Sequence, residues 1–178
     1  MFVVDELVVY PAQGVGKVER IETQEIGGES TELYIVRILS NNVTLMVPVH
    51  NAVNVGLRAV YTPEEARMIF AYLNDRSDFT GYSGQNWNRR YREYSEKLKS
   101  SELVDVAYVL KELILIGKDK DLSFGERRLL EQAMGLISLE LSFALDKDQD
   151  AVKKEIEELF ADILHKDEEQ VEKDTEAK

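Results

Sequence analysis

The first 60 residues are predicted to form short strands, and from Lys17 to Thr23 apolar and polar positions largely alternate with the two-residue period of a β-strand. Short runs rich in Val, Ile and Tyr are separated by turn residues, first at Gly14-Val15-Gly16, then at Gly27-Gly28 and Asn41-Asn42. Pro48 is predicted to end its strand or to lie at a sheet edge, because proline has no N–H for the ladder. The pattern predicts a small antiparallel barrel or a strongly bent sheet.

Beyond residue 60 the spacing of apolar residues becomes helical. Thr62 is predicted to cap a helix that has proline at its first position, glutamate three residues after the cap, and an end near Leu73. Ser123 and Glu126 form a second capping box. Further helices are predicted near 86–99, 102–117 and 123–145, followed by one amphipathic helix across 152–164.

These two patterns predict an α+β protein of two modules. The β-rich module is assigned to residues 1–74, and turn-rich residues 75–85 are interpreted as a linker. An all-α module is assigned to residues 86–165. The acidic residues 166–178 are predicted to be a disordered tail, which either keeps the protein soluble or occupies a basic surface of the same chain.

Composition excludes several classes of protein. The chain has no cysteine, which rules out disulfides, thiolate zinc sites and cysteine nucleophiles. No run of 18 apolar residues exists, and the N-terminus lacks the pattern of a secretory signal, so a cytoplasmic protein is expected. The formal net charge is -12, yet residues 76–145 are balanced, with 11 basic and 11 acidic side chains.

Catalytic and metal-binding patterns are largely missing from the sequence. The two histidines, His50 and His165, lie far apart and lack neighbouring ligands at convincing spacing. Gly14-Val15-Gly16-Lys17 leads into a strand, whereas a phosphate-binding loop leads into a helix. We therefore predict a protein that is not an enzyme and has no metal or cofactor. A small hydrolase that uses paired carboxylates is the alternative, although no motif indicates one.

The candidate for binding is the segment Asn86-Trp87-Asn88-Arg89-Arg90-Tyr91-Arg92, which holds the only tryptophan and three arginines. Arginine forks suit phosphate oxygens, and an aromatic ring can stack on bases or wedge between them. The alternative is a helix start with a core tryptophan and solvated arginines. Arg127 and Arg128 follow the second cap, where a cation opposes the helix dipole unless an anion is near.

Together these residues resemble the CarD/CdnL family of bacterial transcription regulators. The resemblance extends from residue 1 to about residue 164, and the motifs occur in the order and roughly the spacing of the family. They are Val8-Val9-Tyr10-Pro11 with Gly14-Val15-Gly16, Met46-Val47-Pro48, Val55-Gly56-Leu57-Arg58, the segment from Asn86 to Arg92, and Leu122-Ser123-Phe124-Gly125-Glu126-Arg127-Arg128.

The resemblance implies that the first module is a Tudor-like (SH3-like) domain that docks on the β subunit of bacterial RNA polymerase. This domain is similar to the polymerase-interacting module of the transcription-repair coupling factor, where docking involves pairing of sheet edges. Some family members have arginine where this chain has Gln24 and Met46. The residues expected to contact polymerase are Thr23, Gln24, Glu25, Leu45 and Met46.

The resemblance also implies that the helical module contacts promoter DNA at the upstream edge of the melted bubble. Trp87 would be a wedge in the minor groove, and Arg89, Arg90, Arg92 and Arg127 would contact phosphates. A monomer that stabilises the open complex without reading base sequence is expected, associated with the nucleoid through polymerase. The alternative is a protein-interaction module that binds polymerase and does not touch DNA.

Overall fold

The computed structural model describes residues 1–79, 81, 84 and 86–164 of the chain. It confirms the predicted α+β fold, in which an antiparallel sheet is followed by helices. His165, the predicted tail at 166–178, and residues 80, 82, 83 and 85 of the predicted linker lie outside the described residues. No helix in the described ranges is long and apolar enough to cross a membrane.

Five strands form one sheet in the order β4-β3-β2-β1-β5. Every neighbouring pair is antiparallel. Gly27 and Gly28 both have positive φ and make the tight turn between β2 and β3, as predicted. Pro48 ends the edge strand β4, also as predicted. The strands are β1 (Leu7–Tyr10), β2 (Gly14–Ile26), β3 (Glu29–Ile38), β4 (Thr44–Pro48) and β5 (Arg58–Ala59).

The sheet encloses a small core of its own. Its buried residues come from the strands and from the loop that follows β4: Val8, Val18, Tyr34, Val36, Ile38, Val47, Ala52 and Leu57. A register shift between Val18 and Arg20 marks a bulge in β2, and such a bulge bends a strand and increases its twist. The strongly bent sheet that the sequence predicts therefore has a local cause.

The helices after the sheet share a second, larger core. They are α1 (Pro63–Asn74), α2 (Trp87–Lys97), α3 (Leu103–Asp119), α4 (Phe124–Leu145), α5 (Gln149–Leu159) and α6 (Ala161–Leu164). The predicted boundaries of α2, α3 and α4 agree with these to within two residues. Both predicted capping boxes are present, from Thr62 to Glu65 and from Ser123 to Glu126.

One helical prediction is wrong. A single amphipathic helix was expected across 152–164, but α5 ends at Leu159 and α6 begins at Ala161. Phe160 lies between them with φ −113° and ψ 15°, which is not helical, and its N–H bonds back to the carbonyls of Glu157 and Glu158. The ring of Phe160 is completely buried. Its packing therefore turns the chain where the apolar period alone indicates continuity.

Helix α1 and the residues after it pack with the other helices. Ala66, Ile69 and Leu73 belong to the helical core and not to the core of the sheet. Residues 75–79 are also held: buried Lys111 of α3 donates to the carbonyl of Asp75 at 2.9 Å and to the carboxylate of Asp78 at 2.8 Å. The helical core therefore includes α1 and the residues that follow it.

The sheet and the helices meet at a tight interface. Arg58 of β5 makes a two-pronged ion pair with Glu140 of α4, with 2.9 Å between Nη2 and Oε2, and the Glu140 side chain is only 2% exposed. Gly56, at φ 82°, also allows the backbone of its loop to lie close to Pro11 and Ser101. A Cβ added there would lie 2.8 Å from Pro11 and 3.1 Å from Ser101.

Candidate nucleic-acid interface

Trp87 is the first residue of α2 and lies against the start of α4. The Asn86 side chain caps the helix by accepting from the N–H of Asn88 at 2.9 Å. The Trp87 ring is partly buried on the helical core, and its centroid lies 5.4 Å from that of Tyr91. A Cβ added to Gly125 would be 2.9 Å from Cζ2 of Trp87, so the glycine leaves room for the ring. Trp87 is thus seated and still reaches solvent.

Arg90 points inward. Its side chain is 8% exposed, and Nη2 donates to Oε1 of Glu126 at 2.9 Å. Its guanidinium carbon lies 5.9 Å from the centroid of the Trp87 ring. The burial and the ion pair favour a role in holding α2 against α4 and under the tryptophan. They do not favour the predicted phosphate contact for Arg90.

Glu126 connects several parts of this site. It accepts from Lys120 Nζ at 2.8 and 3.0 Å and from the backbone N–H of Ser123 at 2.8 Å, in addition to Arg90. Burial by itself raises the pKa of this carboxyl, but the hydrogen bonds from Lys120 and Ser123 outweigh it and hold the pKa below its ordinary value. Glu126 is therefore an anion at neutral pH, and it neutralises cations that would otherwise face each other.

The other three predicted arginines are exposed. Arg89 and Arg92 lie on α2, and Arg127 lies in the first turn of α4, where its Nε donates to the carbonyl of Leu122 at 3.0 Å. Arg128, beside Arg127, is exposed too. Within the described part of the chain, Arg89, Arg92 and Arg128 form no ion pair. The four exposed arginines are called the arginine surface, and their side chains are accessible to an external anion: Arg89, Arg92, Arg127 and Arg128.

Sequence reasoning missed two residues of this site. Gly125 makes the seat of Trp87, and Phe124, the first residue of α4, is 84% exposed. Phe124 carried a signal, because an apolar ring directly after a helix cap lies outside the apolar stripe of that helix. Gly125 carried none, since its role depends on a residue 38 positions earlier in the chain.

The predicted polymerase contacts lie on two strands that β3 separates. Thr23, Gln24 and Glu25 are exposed near the end of β2, opposite Glu32, Thr31 and Ser30 of β3. On the other side of β3, Met46 of β4 is 62% exposed and pairs with Ile35, while Leu45 is half-buried and pairs with Val36. Because β4 ends the sheet, its outer edge is unpaired across the described residues.

A metal site is not indicated. The described residues contain no group of three or more His, Asp or Glu side chains that could hold an ion. His50 lies exposed in a short 3₁₀ helix at Val49–Asn51. The acidic side chains that the structure buries, Glu126 and Glu140, are both paired with arginine.

Two family models match the chain in sequence. Residues 2–61 match the CarD-like/TRCF RID domain, and residues 68–157 match the CarD C-terminal domain. The chain is also 28% identical over 142 residues to YdeB of Bacillus subtilis (strain 168), a protein named as a candidate transcription factor. That alignment covers 79% of this chain and 90% of YdeB. The chain therefore belongs to the CarD family, as a non-enzymatic transcription regulator that interacts with RNA polymerase.

Proposed function

We propose that this protein bridges RNA polymerase and promoter DNA and lengthens the life of the open complex. The sheet docks on the polymerase β subunit, and the start of α2 reaches the upstream edge of the melted bubble. There Trp87 enters the minor groove as a wedge, while Arg89, Arg92 and Arg127 contact phosphates. Phosphate contacts position a protein without reading sequence, so the preference is for a DNA shape.

The observation that carries this proposal is the seat of Trp87. The ring is held by Gly125 and Tyr91 yet is only partly buried, so it does not have to be ordered when it binds. Exposed arginines lie on the same helix and at the start of α4, in a chain whose net charge is -12. An aromatic wedge costs least at a step whose stacking is already broken, and breaking an intact step costs about a few kcal/mol. The edge of a bubble is such a step.

Arg90 has a different part in this proposal from the other arginines. Its ion pair with Glu126 fixes α2 on α4, and its guanidinium lies near the Trp87 ring. We assign it to positioning the wedge. Replacing Arg90 should displace Trp87, whereas replacing Arg89 or Arg92 should weaken phosphate contacts and leave the wedge in place.

Docking on polymerase resolves the conflict between the net charge and DNA binding. A protein with a charge of -12 is repelled by a polyanion at long range, so its free affinity for DNA should be low. Tethering at polymerase raises the effective concentration of the arginine surface at the DNA. The unpaired edge of β4, with exposed Met46, suits docking by addition of a strand, in which backbone groups make most of the bonds.

The decisive test is the lifetime of an open promoter complex on bacterial polymerase after a competitor challenge. Wild-type protein should lengthen this lifetime. Trp87→Ala should reduce the lengthening by at least about tenfold, which is the scale of one lost wedge contact. Met68→Ala is the control, because Met68 is 69% exposed on α1, away from the site. Circular dichroism verifies the fold of each variant.

Other outcomes of this test separate the alternatives. If Trp87→Ala is folded and extends the lifetime as well as wild type does, the wedge is wrong and the protein acts through polymerase contacts alone. If wild-type protein has no effect on the lifetime, the bridging proposal fails as a whole.

A further inference from the structure

Phe124 is the most exposed of the described aromatic side chains, at 84%, and the fold does not use its ring. The cap of α4 is made by Ser123 and Glu126, through atoms that do not include the Phe124 side chain. Single exposed apolar residues are common and need no explanation by themselves. The surroundings of Phe124 make it different.

Phe124 and Trp87 project from neighbouring points. Successive Cα atoms lie about 3.8 Å apart, so Phe124 begins one residue from the glycine against which the Trp87 ring rests. Arg127 is exposed in the same first turn, where the helix end adds partial positive charge, and Arg128, which follows it, is exposed too. An almost fully exposed aromatic ring therefore lies one residue from the seat of the indole, near two exposed arginines.

This combination fits single-stranded nucleic acid better than duplex. A duplex hides the faces of its bases, whereas a melted strand exposes them, and proteins bind such strands with stacking aromatics beside cations that follow the backbone. The partly buried Trp87 suits a wedge, which needs a rigid support. The exposed Phe124 suits a stacking platform, which needs a free face.

We infer that Phe124 stacks on an unpaired base of the melted strand next to the step that Trp87 occupies. This inference rests on the proposed function, since it requires that the start of α2 lies at the edge of the bubble. It adds a second contact of a different kind, in which the protein binds the single-stranded side of the junction as well as the distorted duplex.

The test uses full-length variants in the open-complex assay with polymerase and promoter DNA. Phe124→Ala should reduce the extension of the lifetime by about fivefold to tenfold, the scale of one aromatic–base stack. Phe124→Tyr should retain it, because the ring remains, and Phe124→Leu should behave like alanine. The control is Phe143→Ala, since Phe143 is 41% exposed on the same helix, about 28 Å away along its axis.

A change in the DNA identifies the partner. When the first unpaired nucleotides at the upstream edge are abasic, Phe124 has no base on which to stack. Wild type and Phe124→Ala should then extend the lifetime equally. If the two proteins still differ on abasic DNA, or if Phe124→Leu acts like wild type, stacking is wrong.

The two proposals fail in different ways. Loss of the effect with Trp87→Ala but not with Phe124→Ala overturns the stacking inference and keeps the wedge. Wild-type behaviour of both variants overturns the DNA contact itself. The exposure of Phe124 predicts that its replacement changes the melting temperature little, so a loss of activity is not a loss of fold.

Discussion

Helix α4 carries a buried glutamate near each end, and the two have different surroundings. Glu140 receives a two-pronged ion pair from Arg58 of β5 and a hydrogen bond from the backbone N–H of Tyr61 at 3.1 Å. Glu126 receives Arg90 of α2, Lys120 and the cap of its own helix. One carboxylate thus joins the sheet to the helices, and the other joins helix to helix under Trp87.

In the proposed function, helix α4 connects the sheet that docks on polymerase to the residues that contact DNA. The Glu140 end fixes where the sheet, with the unpaired edge of β4, lies relative to α4. The Glu126 end fixes where α2, which carries Trp87, lies against α4. In the proposed function, this single helix of 22 residues sets the distance between the polymerase contact and the DNA contact.

The largest effect is expected at the end that joins the sheet to the helices. Glu140→Gln keeps the size of the side chain but leaves Arg58 without a charged partner, and breaking a buried pair in this way costs about 3 kcal/mol. Urea unfolding at pH 7 measures the change. Glu131→Gln is the matched control, because Glu131 is exposed on the same helix, and its effect should stay within about 0.5 kcal/mol. Equal stability of the two variants would show that Arg58 and Glu140 do not hold the modules together.

A smaller effect, with a distinct pH dependence, is expected at the other end. Glu126→Gln removes charged hydrogen bonds worth about 2 kcal/mol at pH 7. Because folding lowers the pKa of Glu126 below its ordinary value of 4.5, its ionised form stabilises the fold above that value. This stabilisation is lost as the pH falls below 4.5 and through the pKa of the folded state. The difference between wild type and Glu126→Gln should therefore shrink between pH 5 and pH 3 in urea titrations, and a constant difference would contradict the assignment.

The smallest effect is expected from alanine substitutions at two glycines of α4, Gly125 at its crowded start and Gly135 in its open middle. Gly135→Ala should stabilise the helix by up to about 1 kcal/mol, because a Cβ there meets nothing within 4 Å. Gly125→Ala should lose that gain, since its Cβ would lie 2.9 Å from the Trp87 ring and force the ring to move. The only tryptophan reports the movement through its fluorescence, which should change in Gly125→Ala and not in Gly135→Ala. Identical spectra would show that Gly125 does not seat the ring.

Local signals predicted much of the fold. Both capping boxes, the Gly27-Gly28 turn and the end of β4 at Pro48 depend on residues within four positions of each other, and all are present. The break at Phe160 was not predicted, because it depends on how a ring packs in the tertiary core. The contacts of Lys111 with residues 75–79 were missed for the same reason.

In the candidate site, too, local sequence did not predict how residues of one helix, α2, are buried. Arg89, Arg90 and Arg92 appear equivalent in sequence, yet Arg90 is buried and the other two are exposed. The helical spacing did contain a signal that Arg90 is buried. Four residues of the segment recur every three or four positions and share one face of the helix: Trp87, Arg90, Tyr94 and Leu98. A helical face that includes tryptophan, tyrosine and leucine indicates burial for the arginine between them. Its partner Glu126 lies 36 residues away, beyond what local spacing reveals.

The place of α1 in the helical core has a consequence for dividing the protein. A protease that cut between residues 75 and 85 would leave two fragments held by one apolar core, and they should remain associated after cleavage. A truncated protein that begins at residue 86 would lack Ala66, Ile69 and Leu73, exposing the surfaces they cover and inviting aggregation. A cut just before Thr62 would keep α1 with the other helices, but it would separate Glu140 from Arg58 and from the N–H of Tyr61, so neither half should be as stable alone as in the intact chain.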